Sequence, residues 1–179
     1  TGMGDAVIPV SGEISVNDFQ WPATFALGVS FKANDKLMLV ADVKQLSWAD
    51  AMKNFSMTFK ASGNTGMAAG FNGTVMDAVM YQDWKDQTVI QLGGSYDLND
   101  ATTLRAGYSD ASNPVPNKTM HYLFPAITET AYTLGAGHQF NASSSVDVAY
   151  NYVVNNKAGD MVEVEMGQNN YQLMYSYKF

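Results

Sequence analysis

Cysteine is absent from this chain of 179 residues, so the sequence offers no disulfide framework, no thiolate nucleophile and no cysteine-ligated metal site. Positive charge is also scarce. Ten Lys and Arg residues stand against seventeen Asp and Glu residues, which gives a net charge of −7. A protein that binds nucleic acid by neutralising its phosphates needs the opposite balance. We therefore expect neither thiol chemistry nor a nucleic-acid partner.

Long apolar runs are missing as well. No stretch of about 18 apolar residues occurs, so the sequence predicts no transmembrane helix. The chain opens at Thr1 with neither Met nor a signal-peptide pattern, which indicates a processed chain or a fragment. Charged helix formers are sparse, whereas 15 Gly, 10 Tyr and 9 Phe are present, a balance typical of all-β proteins. We expect a single β domain over residues 1–179.

Apolar and polar residues alternate with a period of two along most of the chain. The last segment shows the alternation most clearly, with Tyr171, Leu173, Tyr175, Tyr177 and Phe179 on one face. The pattern recurs at residues 25–31, 37–43, 90–96, 104–108, 132–140 and 146–154, and more weakly at Ile14 and Val16. These segments predict about eight strands, each with one apolar face.

Short and long connections alternate between these strands. Tight polar turns occupy residues 34–36, 97–100 and 141–144, whereas long connections span about residues 49–85, 111–129 and 155–168. Outer-membrane barrels have short periplasmic turns and long extracellular loops. Strands of about ten residues are also long enough to cross a bilayer at a tilt. The connections therefore favour a membrane barrel.

A soluble barrel or sandwich would show the same alternation with its apolar face inside. However, the second face here carries mostly small and uncharged polar residues rather than the Lys and Glu of a soluble surface. Five aromatic residues also fall beside short turns or the chain end, as an aromatic girdle at a membrane interface does, namely Phe31, Tyr96, Phe140, Tyr177 and Phe179. We therefore predict an all-β fold, an antiparallel transmembrane β-barrel in the outer membrane of a Gram-negative cell, in contact with the lipid bilayer and lipopolysaccharide.

A more specific pattern runs through residues 12–33, 41–52, 83–117 and 123–152, and its clearest part leads from Gly107-Tyr108 through Ser112 to Asn113-Pro114-Val115-Pro116. These stretches resemble the C-terminal half of the FadL/TodX family of outer-membrane transporters for long-chain fatty acids and other hydrophobic compounds. The terminal Phe179 likewise resembles the signature that the barrel assembly machinery recognises, which makes that machinery an expected partner.

The family resemblance implies a barrel of about 14 strands, of which about the last eight lie in this chain. It also implies that the family's luminal plug and lateral exit lie upstream of these residues. The alternative is a barrel of about eight strands that closes on itself and has a structural or adhesive role.

The long connection over residues 49–85 is rich in large apolar side chains, which loops seldom expose without a use for them. With the second long connection it supplies the residues expected to bind a hydrophobic ligand: Phe55, Met57, Phe59, Met67, Phe71, Met76, Met80, Tyr81, Phe124 and Ile127. Met and aromatic side chains adapt to alkyl or aryl ligands of different shapes. In the other interpretation, Phe55, Met57 and Phe59 extend a strand above the membrane, and the rest of the first connection forms a small core of its own. For the second connection the alternative is anchoring at the lipid interface. Val75, Ala78 and Val79 also have the spacing of one face of a short helix.

Charged residues near the loops give few further candidates. The cations available to a fatty-acid carboxylate are Lys53, Lys60, Lys85 and Lys118, and a neutral hydrocarbon becomes the more attractive ligand if none of them faces the groove. An acidic set in the last connection suits either a divalent cation or a solvated loop and comprises Asp160, Glu163 and Glu165. Charges on the inward phase of the strands suit a polar network or a permeation path and comprise Asp42, Lys44, Arg105, Asp147 and Lys178.

The sequence carries no readable catalytic arrangement. His121 and His138 are too few and too far apart in sequence to indicate a metal site or a catalytic base. We expect no catalytic residue, no metal and no cofactor. The prediction is a channel that takes up long-chain fatty acids or hydrocarbons across the outer membrane by passive diffusion, with hydrophobic small molecules as its ligands.

Overall fold

The computed structural model describes residues 8–179, and most of this range is antiparallel strand. The ten strands are β1 (Gly12–Asn17), β2 (Thr24–Lys32), β3 (Leu37–Leu46), β4 (Asn54–Ala61), β5 (Val75–Tyr81), β6 (Gln87–Asn99), β7 (Thr102–Ala111), β8 (Ala131–Asn141), β9 (Ser144–Ala158) and β10 (Val164–Tyr177). The predicted all-β antiparallel architecture is confirmed. In the described part of the chain, helix is limited to α1 (Trp48–Ala51) and two 3₁₀ turns at Gly66–Phe71 and Asn117–Thr119. No helix within residues 8–179 is long and apolar enough to cross a membrane.

Seven strands form one antiparallel sheet, which we call the wall. Its order is β10-β9-β8-β7-β6-β3-β2. The register keeps side chains of equal phase on one face across the sheet, since Leu27 pairs with Val43 and Val43 pairs with Ile90. On this face Leu27 is 65% exposed and Leu134, four strands away, is 63% exposed. A continuous face of exposed apolar side chains is what contact with lipid requires.

The opposite face of the wall carries polar contacts over glycines. Arg105 Nη1 donates a hydrogen bond to Asp147 Oδ1 at 3.0 Å, which joins β7 to β9 across β8. The pair lies above Gly137, where a Cβ would be 2.5 Å from Asp147 Oδ1 and 2.9 Å from Arg105 Nη1. The carboxylate of Asp42 occupies the corresponding space above Gly28. The contact between Arg105 and Asp147 favours a polar network as the role of these two inward charges.

Three strands form a second sheet, which we call the small sheet, in the order β1-β4-β5. The weak first strand of the sequence therefore does not join the wall, because Ile14 and Val16 pair with Phe59 and Met57 of β4. The segment considered as a helix face is strand β5 instead. Its period-two alternation matches that of β4 residue by residue, which a helix would not allow.

The third long connection is shorter than the sequence predicts. Strand β9 runs on to Ala158 and β10 begins at Val164, so most of residues 155–168 form a projecting hairpin. A register shift between Met166 and Gln168 bends this hairpin. Its apolar residues have a surface to pack on, because Ala158, Val164 and Met166 lie against the buried cluster described next.

The buried apolar cluster lies beyond the wall, at the end where the long connections meet. It consists of Met52 and Trp84 from the connection between β3 and β6, with Val115, Met120 and Ile127 from the connection between β7 and β8. A backbone bond from Lys85 N to Pro114 O at 2.8 Å joins the same two connections. The loops are therefore held in one arrangement by a core of their own, which fixes the position of the small sheet's strands β4 and β5.

Replacing Gly137 by Ala tests the inner-face packing. The added Cβ displaces the Arg105–Asp147 pair, so we expect Gly137→Ala to lower the free energy of unfolding by about 1–3 kcal/mol. Gly107→Ala is the matched control on the same face, because its Cβ would lie 3.7 Å from the nearest atoms. The temperature at which the folded band disappears in an SDS gel reports the difference. Equal temperatures for the two variants would contradict the packing described.

Replacing Ile127 by Ala tests the loop cluster. Ile127 is fully buried, so its truncation should cost about 3 kcal/mol of local stability and expose residues 112–130 to protease while the wall stays folded. Leu123→Ala, in the same connection but at an exposed position, should leave protease resistance unchanged. Resistance that is the same in both variants would show that the cluster does not hold the loops.

Candidate functional site

The two faces of the small sheet differ in polarity. One face carries Ile14, Val16, Phe55, Met57, Phe59, Met76, Ala78 and Met80, as the register of β1, β4 and β5 requires. On the other face, Asn17 Nδ2 donates to Thr58 Oγ1 at 2.8 Å and Thr58 Oγ1 donates to Asp77 Oδ1 at 2.6 Å. These three polar side chains hydrogen-bond one another, so the apolar face is the one that offers a surface to a hydrophobic ligand.

A groove of about 430 Å³, which we call the apolar groove, lies on this apolar face. Its lining consists of Val10, Phe59, Ala61, Phe71, Thr74 and Met76. The sequence brings these together through the β4–β5 hairpin: Phe59 pairs with Met76, and Ala61 N donates to Thr74 O at 2.9 Å. Its volume falls in the range of about 300–1,000 Å³ that small-molecule sites occupy.

The ten residues predicted to bind a ligand fall into separate groups. Phe59, Phe71 and Met76 line the groove together, and Met57 and Met80 lie on the same apolar face outside it. Met67 and Tyr81 are 83% and 75% exposed and do not line it. The remaining three, Phe55, Phe124 and Ile127, lie at the junction with the second long connection.

Six aromatic rings form a row, which we call the aromatic row, and both of its ends lie at the buried cluster, because Phe124 packs against the cluster and Trp84 belongs to it. Its rings are, in order, Phe124, Phe55, Phe19, Trp21, Trp48 and Trp84, with neighbouring centroids 4.8–6.2 Å apart. Each neighbouring pair meets edge to face, the arrangement that aromatic quadrupoles favour. The sequence predicts a ligand-binding role for only the first two rings, Phe124 and Phe55. The tryptophans could have been recognised by their position, because all three stand next to the ends of strands that lead into long loops.

The described lining of the groove contains no charged side chain. Among the residues that the structure describes, no Lys, Arg, Asp or Glu belongs to its lining. Lys60 lies on the polar face, since it pairs with Glu13 and Val75. Lys53 Nζ approaches Asp50 Oδ1 at 3.4 Å, and the other two candidate lysines, Lys85 and Lys118, are exposed elsewhere in the loops. The described lining of the groove therefore offers no ion pair to a carboxylate.

The two histidines have ordinary neighbours. His138 Nδ1 lies 2.9 Å from Thr102 Oγ1 on the lipid-facing side of the wall. His121 stacks on Tyr122 with ring centroids 4.2 Å apart. Across residues 8–179 no group of His, Asp and Glu side chains is arranged to hold a metal ion.

The acidic set of the last connection is partly neutralised by a lysine. Lys157 Nζ lies 3.0 Å from Glu165 Oε2 and 3.5 Å from Glu163 Oε1, at the projecting tip of the β9–β10 hairpin. The hydrogen bond from Lys157, followed by one from Asn155, lowers the pKa of Glu165. The hydrogen bond to Glu165 and the charge of Glu163 raise the pKa of Lys157. The contacts favour a solvated ionic hairpin over a divalent-cation site.

Comparison with known proteins gives one family and a consistent fold. The family model described as outer membrane protein transport protein (OMPP1/FadL/TodX) matches residues 6–178. The chain is similar to the solved toluene transporter TodX of Pseudomonas putida, with 26% identity and a TM-score of 0.76 over 97% of this chain. No curated protein sequence matches the chain.

Two further solved structures share the fold at lower identity. The toluene transporter TbuX of Ralstonia pickettii is 23% identical, with a TM-score of 0.71 over 94% of this chain. A FadL homologue of Pseudomonas aeruginosa is 23% identical, with a TM-score of 0.62 over 87%. The chain covers 39%, 36% and 35% of TodX, TbuX and the FadL homologue, respectively. Because the family model matches almost the whole described chain and the wall has the fold of these barrels, the chain belongs to the OMPP1/FadL/TodX family of outer membrane transport proteins.

Proposed function

We propose that this protein takes part in the uptake of uncharged hydrocarbons across the outer membrane, and that the apolar groove is where its loops capture them. The proposal rests on the composition of the groove, because Phe59, Phe71 and Met76 form one apolar surface there, at the long-loop end of the wall. An apolar solute that leaves water for such a surface gains about 25 cal/mol per Å² buried.

The size of the groove suits a small hydrocarbon. A dry cavity of about 150 Å³ lined by Leu, Ile and Phe is enough to bind benzene, so a groove of 430 Å³ has room for a substituted ring or a folded alkyl segment. TodX, to which the chain is 26% identical, is a toluene transporter. A monoaromatic hydrocarbon is therefore the ligand class that we propose first.

The lining of the groove argues for a neutral ligand. Burying a carboxylate costs several kcal/mol unless a cation or hydrogen-bond donor meets it. Within the described part of the chain, the only side-chain hydroxyl in the lining is that of Thr74, and the lysines near the loops lie elsewhere. A long-chain fatty acid would thus have to keep its head group in water.

The movement of ligand is proposed to be passive. A ligand that is held only by apolar contacts of moderate strength dissociates without help, so its uptake down a concentration gradient needs no coupled energy source. The aromatic row supplies apolar contacts between Phe55, on the groove's face of the small sheet, and Trp84 in the buried cluster. We propose that ligand leaves the groove along this row toward the barrel interior.

The wall is proposed to be part of a larger closed barrel. Within the described residues its edge strands, β2 and β10, each pair with one neighbour and not with each other. Unpaired backbone groups are too costly in lipid for an open edge to persist there. This observation favours a larger barrel over an adhesive barrel made of these strands alone.

We further propose two partners for the protein besides its ligand. The groove faces lipopolysaccharide, and the assembly machinery recognises β10 and Phe179.

Substitution in the groove tests the proposed capture site. Met76→Ser removes an apolar wall, so we expect toluene to bind about tenfold more weakly, which corresponds to about 1.4 kcal/mol. Met161→Ser is the matched control, because Met161 is 89% exposed in the β9–β10 turn and lines no part of the groove. Equilibrium binding to the purified full-length protein measures both. Equal affinities for toluene in the two variants would exclude the groove as the capture site.

Ligand charge tests the chemistry of the groove separately. Since no charged side chain lines it among the described residues, benzoate should bind at least about tenfold more weakly than toluene at neutral pH. The affinity for toluene should stay constant between about pH 6 and about pH 8, the range in which an unperturbed histidine changes its charge. Preferential binding of benzoate would show that a cation meets the ligand and would overturn the assignment of a neutral substrate.

A further inference from the structure

The segment before β1 is held against the small sheet by a side chain as well as by a backbone bond. The pairing of β1 with β4 begins at Gly12 and Ala61, and one further backbone bond joins Ser62 N to Ser11 O at 3.0 Å. The side chain of Asn64 contacts the same residue, Ser11. Its Oδ1 accepts from Ser11 N at 2.6 Å and its Nδ2 donates to Ser11 O at 2.8 Å. Ser11 O thus accepts from both Ser62 N and Asn64 Nδ2, and Asn64 Oδ1 takes the place that Ser62 O would have in a regular ladder as the acceptor of Ser11 N.

A second asparagine completes the arrangement. Asn72 Oδ1 accepts from Asn64 N at 3.0 Å and from Asn64 Nδ2 at 2.9 Å, while Asn72 Nδ2 donates to Asn64 O at 2.9 Å. The Asn64 residue is 8% exposed, and each polar group of its side chain has a partner. Because hydrogen bonds shielded from water are costly to break, the two amides form a rigid link between three segments of chain.

The linked segments are those that carry the walls of the apolar groove. Val10 precedes Ser11, Phe71 precedes Asn72, and Ala61 lies at the strand end from which the Asn64 segment departs. We infer that Asn64 and Asn72 are positioning residues that set the width of the apolar groove and thereby its discrimination by ligand size. This inference rests on the proposed function, since it concerns the same groove.

The link acts on selectivity for a physical reason. A small ligand fills a groove only if the walls stay close to it, because a gap of about 0.5–1 Å between ligand and wall already forfeits much of the dispersion energy. A bulkier ligand still touches both walls when they separate. Loosening the link should therefore weaken the binding of a small ring more than the binding of a large one.

The test compares toluene with 1,3,5-triisopropylbenzene as probes on the full-length protein in detergent. Asn64→Ala should raise the Kd for toluene about tenfold and the Kd for the bulkier arene less than about threefold. Asn72→Ala, which leaves both hydrogen bonds of Asn64 with Ser11 in place, should change the ratio of the two Kd values in the same direction by a smaller factor. Asn34→Ala is the matched control, because Asn34 caps a short turn through Lys36 N and Leu37 N at the opposite end of the wall.

The ratio of the two Kd values distinguishes a positioning role of the two asparagines from a role in fold stability alone. A ratio of Kd values that shifts in both groove variants and not in Asn34→Ala supports the positioning role. If the ratio is unchanged, or if both variants bind both arenes more weakly by the same factor, the asparagines only stabilise the fold and the inference is overturned. If the unaltered protein binds neither probe, the proposed function itself fails, which is a result distinct from an unchanged ratio.

Discussion

Backbone N–H and C=O groups that pair between antiparallel strands determine how the wall, the loops and the groove of this protein are arranged. In lipid no water is available to satisfy these groups, so a membrane-crossing sheet must satisfy them within itself. Pairing fixes the register, and the register fixes which side chains share a face, because alternate residues of a strand point to opposite sides. Leu27, Val43 and Ile90 thus form a lipid-facing surface, while Arg105 and Asp147 meet on the other side.

The same constraint explains why the buried core lies outside the wall. A sheet that faces lipid on one side and a polar interior on the other has no need for the closely packed apolar layer of a soluble sandwich. The packed cluster around Met52 and Ile127 lies instead where the long connections meet. It provides the stiffness that loops otherwise lack, and it holds the β4–β5 hairpin in place. The apolar groove and its asparagine link depend on this support, since both are built on that hairpin.

The wall is predictable from sequence, and the groove is predictable only in part. Period-two alternation identifies the strands because local chemistry repeats along each of them, as from Tyr171 to Phe179. It does not identify their partners, so it cannot reveal that β1 pairs with β4 and stays outside the wall. Phe59, Phe71 and Met76 are predicted to bind ligand and do share the groove, but Ile127 is buried in the loop cluster. Composition marks a residue as apolar, whereas contacts between distant segments decide whether it is buried, exposed or part of a groove.

The proposed function requires an uncharged hydrocarbon to occupy the apolar groove. A crystal of the full-length protein soaked with a brominated arene shows whether it does, since the anomalous signal of bromine locates the ligand without prior assumption. We expect a bromine peak between Phe59, Phe71 and Met76. Bromine found only on the lipid-facing side of the wall, with the groove empty, would contradict it.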